Sequence, residues 1–372
     1  MKRPIPVNTP VLGGNERRYL LECIDSEWIS SEGPFVARFE EAFAGRVGRR
    51  YATSVTSGTA ALEVALAAIG LKPGDEVILP SFTIISCAAA VLRLGGKPVV
   101  VECDRLTWNM DVSRIRERIN GRTKAIMPVH IFGMPVDLDP VLELAREHGL
   151  YVIEDAAQAQ GLTYKGRPCG SFGHISAFSF YPNKLVTTGE GGMVVCDDPE
   201  LDKRCRSYRN LCFLPERRFV HEEIGWNYRM TNLQAALGLA QVERWDASVV
   251  RKREIGRTYQ KLLRGLNAFQ LPVEGDETAE NLYWVFGLVI PEGGSLTAGE
   301  VMVRLGQEKI GTRPFFWPMH AQPVLREMGL FADESLPVSL WLGRNGFYIP
   351  SGLGLTPEEQ QRVVEVLWEL YG

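Results

Sequence analysis

Three short stretches carry residues whose types and spacing could do chemistry. Ser57-Gly58-Thr59 stands between a strand-like run and a helical pattern. A helix start offers free N–H groups and the positive end of a dipole, and glycine lets backbone come close to a ligand. This stretch can therefore cradle an anion. Ser or Thr at such a place is more often a plain helix cap. In "VIEDAAQA", residues 152–159, an apolar strand ends in Glu154-Asp155. A carboxylate at the end of a central strand is costly to bury unless it meets a cation; the ordinary alternative is a helix N-cap. The third stretch is "FSFYPNKLVTTGEGGM", residues 178–193, where Lys184 lies between two apolar runs among Ser, Asn and Thr. A surface charge is the ordinary reading of a lysine, but one set between two buried strands points into a polar pocket.

An anion cradle, a buried aspartate and then a lysine, all at strand ends, match what pyridoxal 5'-phosphate requires. The cradle takes the phosphate, with Ser179 placed as a second ligand. Asp155 keeps the pyridinium nitrogen protonated so that the ring can draw electrons, and Lys184 forms the Schiff base.

The elements that must position these residues alternate along the chain. Strand-like runs at 51–55, 77–79, 98–101, 125–129 and 151–153 are interleaved with helical patterns at 60–69, 83–92 and 138–148. Such alternation predicts an α/β fold with a mostly parallel central sheet flanked by helices. Sites in such sheets lie beyond the carboxyl ends of the strands. A long helical stretch at 233–263 then leads through a polar linker, 272–280, to strand-like runs at 283–290 and 347–350 and helices at 298–308 and 357–371. This predicts a large cofactor-binding domain over 1–250, including an N-terminal segment, and a smaller C-terminal α+β domain over 251–372.

The bulk properties exclude several classes. The chain has 372 residues, 45% hydrophobic and 23% charged, with a net charge of −4, and no basic run marks a nucleic-acid footprint. It shows neither a signal-like N-terminus nor an apolar run of membrane-spanning length, so a cytoplasmic protein with no membrane partner is expected. Seven cysteines are scattered without a C-x-x-C pair, which suits buried free thiols and no metal site. A nicotinamide dehydrogenase would need Gly-x-Gly-x-x-Gly after its first strand, and residues 55–60 lack it. A cofactor-holding sensor would need an output domain, for which no span is free.

Longer motifs then point to one family. "SGTAALEVALAAIGLKPGDEVILPSFT", "TKAIMPVHIFGMPVDLDP", "VIEDAAQA", "FSFYPNK", "TTGEGGMVV", "GWNYRMTNLQAALGLAQVER" and "TRPFFWPMH" together resemble the DegT–DnrJ–StrS sugar aminotransferases, a branch of the fold-type I pyridoxal-phosphate enzymes. The resemblance implies that Gly58, Thr59 and Ser179 bind the phosphate, that Asp155 meets the ring nitrogen and that Lys184 carries the cofactor. It also implies that Gln158 lies near the ring hydroxyl, that Phe82 lies against the ring, and that Asn227 reaches the phosphate from the other subunit of a homodimer with shared active sites. Arg229, Arg313 and His320 would lie near the nucleotide sugar. Asn183 is a further candidate substrate contact, and His130, which follows a strand in "PVHIFG", is either a substrate contact or a satisfied structural histidine. Members that dehydrate a sugar at C3 carry histidine at the lysine position, so Lys184 favours amino transfer, with pyridoxamine 5'-phosphate as the intermediate form.

Within the family, "IPVNTPVLGGNERRYLLECIDSEWISSEGPF" and "TTGEGGM" resemble the GDP-perosamine synthases. These aminate C4 of GDP-4-keto-6-deoxy-mannose with L-glutamate, a step of surface polysaccharide (O-antigen) biosynthesis. The chain departs from that group in three places: Tyr181-Pro182 before Asn183-Lys184 where Phe-Gly is common, Gln158 where Glu is common, and "RNLCFLPERRF" at 209–219. C4 or C3 amination of another nucleotide-linked keto sugar is the alternative.

Overall fold

The computed structural model describes residues 3–214 and 216–371. Helices α1 (Glu16–Asp25) and α2 (Pro34–Val47) come before the first strand, β1 (Tyr51–Val55). The chain then runs through α3 (Gly58–Ala68), β2 (Glu76–Pro80), α4 (Ser86–Arg93), β3 (Lys97–Val101), β4 (Thr123–Ile126), α5 (Leu138–His148) and β5 (Tyr151–Asp155). A hairpin of β6 (Thr163–Tyr164) and β7 (Arg167–Pro168) leads to β8 (Ile175–Ser179), β9 (Gly192–Cys196), α6 (Pro199–Arg209), α7 (Asn232–Val242) and α8 (Trp245–Leu262). Last come β10 (Phe286–Val289), α9 (Ala298–Gln307), β11 (Arg313–Pro314), α10 (Pro323–Glu327), α11 (Pro337–Asn345), β12 (Gly346–Ile349) and α12 (Pro357–Tyr371).

Seven strands form one sheet in the order β1-β9-β8-β5-β4-β2-β3. Its pairs are parallel from β3 through β8, and only β9 runs against its neighbours β8 and β1. Successive side chains point to opposite faces, and both faces are covered. Val77 and Leu79 join the core under α3 and α4, while Ile78 joins the core under α5. That is why these strands read as unbroken apolar runs rather than as alternation. On the α2 side, Phe39 and Phe43 lie one helical turn apart on one face. They meet Phe180 and Phe178, each pair with centroids 5.0 Å apart. Fully burying each such ring stabilises the fold by about 1.5–3 kcal/mol.

Strands β10, β12 and β11 make a separate antiparallel sheet, packed with α9 and α12 around Phe286, Phe347 and Ile349. Ile5, near the N-terminus, joins this second core and bridges Ile310. Helix α8 contributes to both regions, with Trp245 in the core beside α2 and Ile255 and Tyr259 in the other.

Several expectations are corrected. The helical stretch at 233–263 is two helices, α7 and α8, broken at Glu243-Arg244. Glu243 is drawn to the N-terminal segment, accepting from Tyr19 Oη at 2.5 Å and Asn15 Nδ2 at 2.6 Å, and Arg244 Nη1 donates to Val11 O at 3.4 Å. The run at 283–290 is a strand only from Phe286, because Tyr283 takes a left-handed φ of 54°. The helix expected from 83 starts at Ser86, and the strand expected through 129 ends at Ile126, although Val129 still bridges Asp155. Among the described residues no helix is long and apolar enough to cross a membrane. All seven cysteines are free and buried.

Candidate active site

A cleft of about 570 Å³ opens beyond the carboxyl ends of β5 and β8, where the small sheet meets the large one. Three expected stretches converge on it. Gly58 and Thr59 come from the start of α3, Asp155 is the last residue of β5, and Ser179 is the last residue of β8. Lys184 follows in the turn after β8, its N–H donating to Tyr181 O at 2.9 Å.

The cradle is built by close backbone approach. Ser57 caps α3, its Oγ accepting from Ala60 N–H at 3.1 Å, which leaves the earlier N–H groups of the first turn without an intrahelical acceptor. A Cβ on Gly58 would lie 2.7 Å from Ser179 Cβ, and one on Gly192 would lie 2.3 Å from Ser57 O. Only glycine lets the helix start and the two strand ends meet this tightly. Thr59 Oγ1 donates to Ser86 Oγ, at 2.9 Å, tying the cradle to the start of α4.

Glu154 and Asp155 share a sequence motif and go opposite ways, as neighbours in a strand must. Glu154 is fully buried. Its carboxylate accepts from Gly170 N–H at 2.7 Å, Phe172 N–H at 2.7 Å and Gly173 N–H at 2.6 Å, with His130 Nε2 at 3.2 Å. Burial alone would raise its pKa; the hydrogen bonds from His130 and these glycines hold it below the ordinary carboxylate value. Glu154 thus fastens the 170–173 loop. Asp155 faces the cleft, Oδ1 accepting from Ala157 N–H at 3.0 Å and Oδ2 from the Cys87 thiol at 3.1 Å.

Lys184 is partly open to the cleft as a residue, but its ammonium group is crowded by protein atoms. That desolvation draws its pKa down to about 7, against the opposing pull of the Asp155 charge. Lys184 Nζ lies 3.8 Å from the centroid of the Trp284 ring, and Trp284 Nε1 donates to Asn183 O at 2.9 Å. Gly133, with φ of 104°, makes room for this arrangement; a Cβ there would lie 2.6 Å from Trp284 N. The preceding Phe132, also left-handed at φ 54°, donates its N–H to Gln158 Oε1 at 2.7 Å.

These groups fit pyridoxal 5'-phosphate. There is an anion cradle with glycine-only clearances, a carboxyl group that borders the cleft, and an amine whose pKa is drawn down to about 7. Asn183 Oδ1 is buried without a hydrogen-bond partner, a further polar atom available to a bound group. When bound, the cofactor supplies the electron sink and the carrier for an amino group.

Of the residues singled out from sequence, the cleft also gathers Gln158, Asn183 and Arg313. It does not gather His130, which is fully buried with both ring nitrogens engaged: Nδ1 accepts from Val136 N–H at 3.2 Å and Nε2 meets Glu154. The substrate contact expected of His130 is corrected to a structural one. Phe82 is likewise fully buried, packed against Phe132, Phe315 and Phe316. The apolar side chain that its segment offers to the cleft is Ile84, 41% exposed. His320 lies beneath the cleft wall with Nδ1 2.7 Å from Ser81 Oγ, its pKa lowered by burial. Asn227 and Arg229 stand outside this cleft; Arg229 bridges the backbone at Val55 and donates from Nη1 to Asn210 Oδ1 at 2.8 Å. Sequence reasoning missed Ile84, Trp284, Phe316 and Tyr348, largely apolar side chains that resemble core, and the N-terminal Asn8, which lines the cleft from far along the chain; it also missed Cys87, whose thiol meets Asp155.

Residues 10–368 match the DegT/DnrJ/EryC1/StrS aminotransferase family. GDP-perosamine synthase of Caulobacter vibrioides is 44% identical over 364 residues, covering 98% of this chain and 97% of that one. GDP-perosamine synthase of Escherichia coli O157:H7 is 41% identical over 367 residues, covering 99% and 98%. Among solved structures, Helicobacter pylori PseC, an aminotransferase of pseudoaminic acid biosynthesis, superposes with a TM-score of 0.94 over 99% of both chains at 24% identity. DesV of S. venezuelae gives a TM-score of 0.87 at 33% identity, covering 96% of this chain and 94% of that one. Spr1654 of Streptococcus pneumoniae in its PLP form gives 0.92 at 24% identity over 99% of each. A match spanning nearly all of the sequence, on this architecture, supports a single assignment: the chain belongs to the DegT/DnrJ/EryC1/StrS family of pyridoxal-phosphate-dependent sugar aminotransferases.

Proposed function

We propose that the chain transfers an amino group from L-glutamate to C4 of GDP-4-keto-6-deoxy-mannose, giving GDP-perosamine for surface polysaccharide synthesis. The observation that carries this reading is the pair of GDP-perosamine synthases at 44% and 41% identity over almost the full chain, taken with a lysine at position 184 facing the cleft. Lys184 would hold the cofactor, and its amine would act as the base and acid that moves a proton at the substrate carbon. Its pKa near 7 keeps it available as a base at neutral pH. Asp155 would meet the ring nitrogen and favour its protonated form. Gly58, Thr59 and Ser179 would hold the phosphate, Gln158 would lie by the ring hydroxyl, and Ile84 would offer the ring an apolar face. Arg313 and Asn183 reach the sugar nucleotide.

In a homodimer with shared active sites, Asn227 and Arg229, which do not line the cleft of their own chain, would serve the site of the second copy. His320, 5% exposed and hydrogen-bonded to the buried Ser81, does not line the cleft of its own chain. A division at about residue 250 into a large cofactor domain and a small domain is supported by α8, whose Trp245 lies in one core and Ile255 and Tyr259 in the other, with Ile5 of the N-terminal segment packing on the small side. A cytoplasmic location suits a nucleotide-sugar substrate. The test is a panel of GDP-, UDP- and dTDP-linked 4-keto and 3-keto sugars with L-glutamate, products read by mass spectrometry. The reading expects the GDP-4-keto-6-deoxy sugar to gain an amine, with 2-oxoglutarate released in equal amount. Amination of a different nucleotide sugar, with this one untouched, would overturn it.

A further inference from the structure

Two consecutive residues at the start of α4 hold opposite ends of the cleft. Ser86 Oγ receives the hydrogen bond from Thr59 in the cradle at 2.9 Å, and the Cys87 thiol donates to Asp155 Oδ2 at 3.1 Å. Cys87 is fully buried and so is Ala88 after it, while Thr83 Oγ1 lies 3.7 Å from the same sulfur. Burial, with the Asp155 charge beside it, pushes the thiol well above its ordinary pKa, so it stays protonated and is the donor. An ionised carboxylate has about four lone-pair directions. Ala157 N–H takes one on Oδ1 and Cys87 takes one on Oδ2, and the carboxylate still borders the cleft. A side chain with two free torsions is thereby pinned from both oxygens, leaving its remaining lone pairs aimed outward.

We propose that Cys87 is a positioning residue for amino transfer: its thiol fixes the direction of the Asp155 carboxylate toward the cofactor ring nitrogen. This rests on the reading of Asp155 as the partner of that nitrogen. A thiol is a weak donor, so it fixes the direction of the carboxylate while withdrawing little of its charge. Through Ser86 and Thr59 the same helix start sets the distance between ring and phosphate sites.

The test uses holoenzyme loaded with ¹⁵N-labelled pyridoxal phosphate, comparing wild type, Cys87→Ser and Cys87→Val. Valine fills the space without a donor, and serine keeps the donor. For Cys87→Val the proposal expects kcat to fall about three- to tenfold, the worth of one hydrogen bond, with KM for glutamate within about twofold. The ring-nitrogen NMR shift should move toward the unprotonated value, and Cys87→Ser should restore both. A packing role predicts the reverse, with valine tolerated and serine damaging. A ring-nitrogen shift in Cys87→Val that matches wild type overturns the proposal, whatever happens to kcat. If Cys87→Val does not fold, the S–H infrared band decides: one component must rise in frequency between wild type and Asp155→Ala, and an unchanged band overturns the proposal. Asp155→Ala also separates the two readings. An unchanged cofactor spectrum in that variant sinks the role of Asp155 itself, whereas a changed spectrum with an unmoved S–H band sinks only the role of Cys87.

Discussion

Lys184 and Lys252 are both buried amines whose pKa is drawn down to about 7 by desolvation, and both border one small gap between the two regions of the molecule. They differ in what surrounds them. Lys184 sits in the turn after β8, faces the open cleft, and lies within reach of the Asp155 charge and the Trp284 ring. Lys252 sits within α8, is 4% exposed, and donates to the Ser351 carbonyl just beyond β12. A depressed lysine pKa therefore does not by itself mark chemistry. The Ser351 carbonyl that accepts from Lys252 makes it a strut joining α8 to the small sheet; an open side and an acidic neighbour suit Lys184 to the role we propose for it.

The sharpest way to break that comparison is to remove each amine. Lys184→Ala is expected to lose about a thousandfold or more of kcat, at the upper part of the range for a positioned acid–base group, measured as glutamate-dependent release of 2-oxoglutarate. Near-normal turnover would remove Lys184 from the site. The next effect concerns assembly. Homodimers of Lys184→Ala and of Asn227→Ala/Arg229→Ala are each expected to be poorly active. A mixed dimer has one site with both lesions and one with neither, so mixing should restore part of the wild-type rate. With subunit exchange verified by native mass spectrometry, a flat response would place Asn227 and Arg229 in their own subunit's service.

Lys252→Met should do far less. It removes a buried amine at the cost of leaving the Ser351 carbonyl without that donor, an opposing loss of about 1–3 kcal/mol. Urea unfolding is expected to show a net change within about 2 kcal/mol, and kcat should stay within about threefold. A loss of activity matching Lys184→Ala, in a variant that remains folded, would end the distinction between the two residues.

The smallest effect is in the pH dependence of stability of the cofactor-free protein. A lysine at about 7 when folded and 10.5 in its ordinary state binds more protons unfolded than folded between those values. Stability from each lysine must then rise with pH across that window. The buried tyrosines and cysteines act in the opposite sense at the alkaline end, so the useful quantity is the difference between slopes. Replacing either lysine by Met should flatten the rise between about pH 7 and 10 by a similar amount, because burial and not catalysis sets both shifts. A slope unchanged from wild type in both variants would show that neither amine is desolvated as the packing implies.

Much of the large region was legible in the sequence because its sheet is covered on both faces, which writes each strand as an apolar run and each crossover as a helix. The carboxylate at 155, the serine at 179 and the lysine at 184 stood out because polar groups are rare at the ends of such runs. What could not be read was direction after a strand ends. Phe82 and Ile84 are both apolar, and only the path of the backbone after β2 sends Phe82 into the aromatic cluster and Ile84 to the cleft. His130 resembled a polar contact because its partner, Glu154, is recruited through the sheet rather than along the chain. The break between α7 and α8 follows from bonds to Tyr19, Asn15 and Val11, residues more than two hundred positions away. Periodicity within a helix carries no trace of them.

Lys184, and not the similarly desolvated Lys252, is proposed to carry the cofactor. The direct measurement is borohydride reduction of the holoenzyme followed by peptide mapping. The expected result is one phosphopyridoxyl group per chain, in the peptide containing Lys184. Label on Lys252, or an enzyme that binds the cofactor and takes no label, would contradict it.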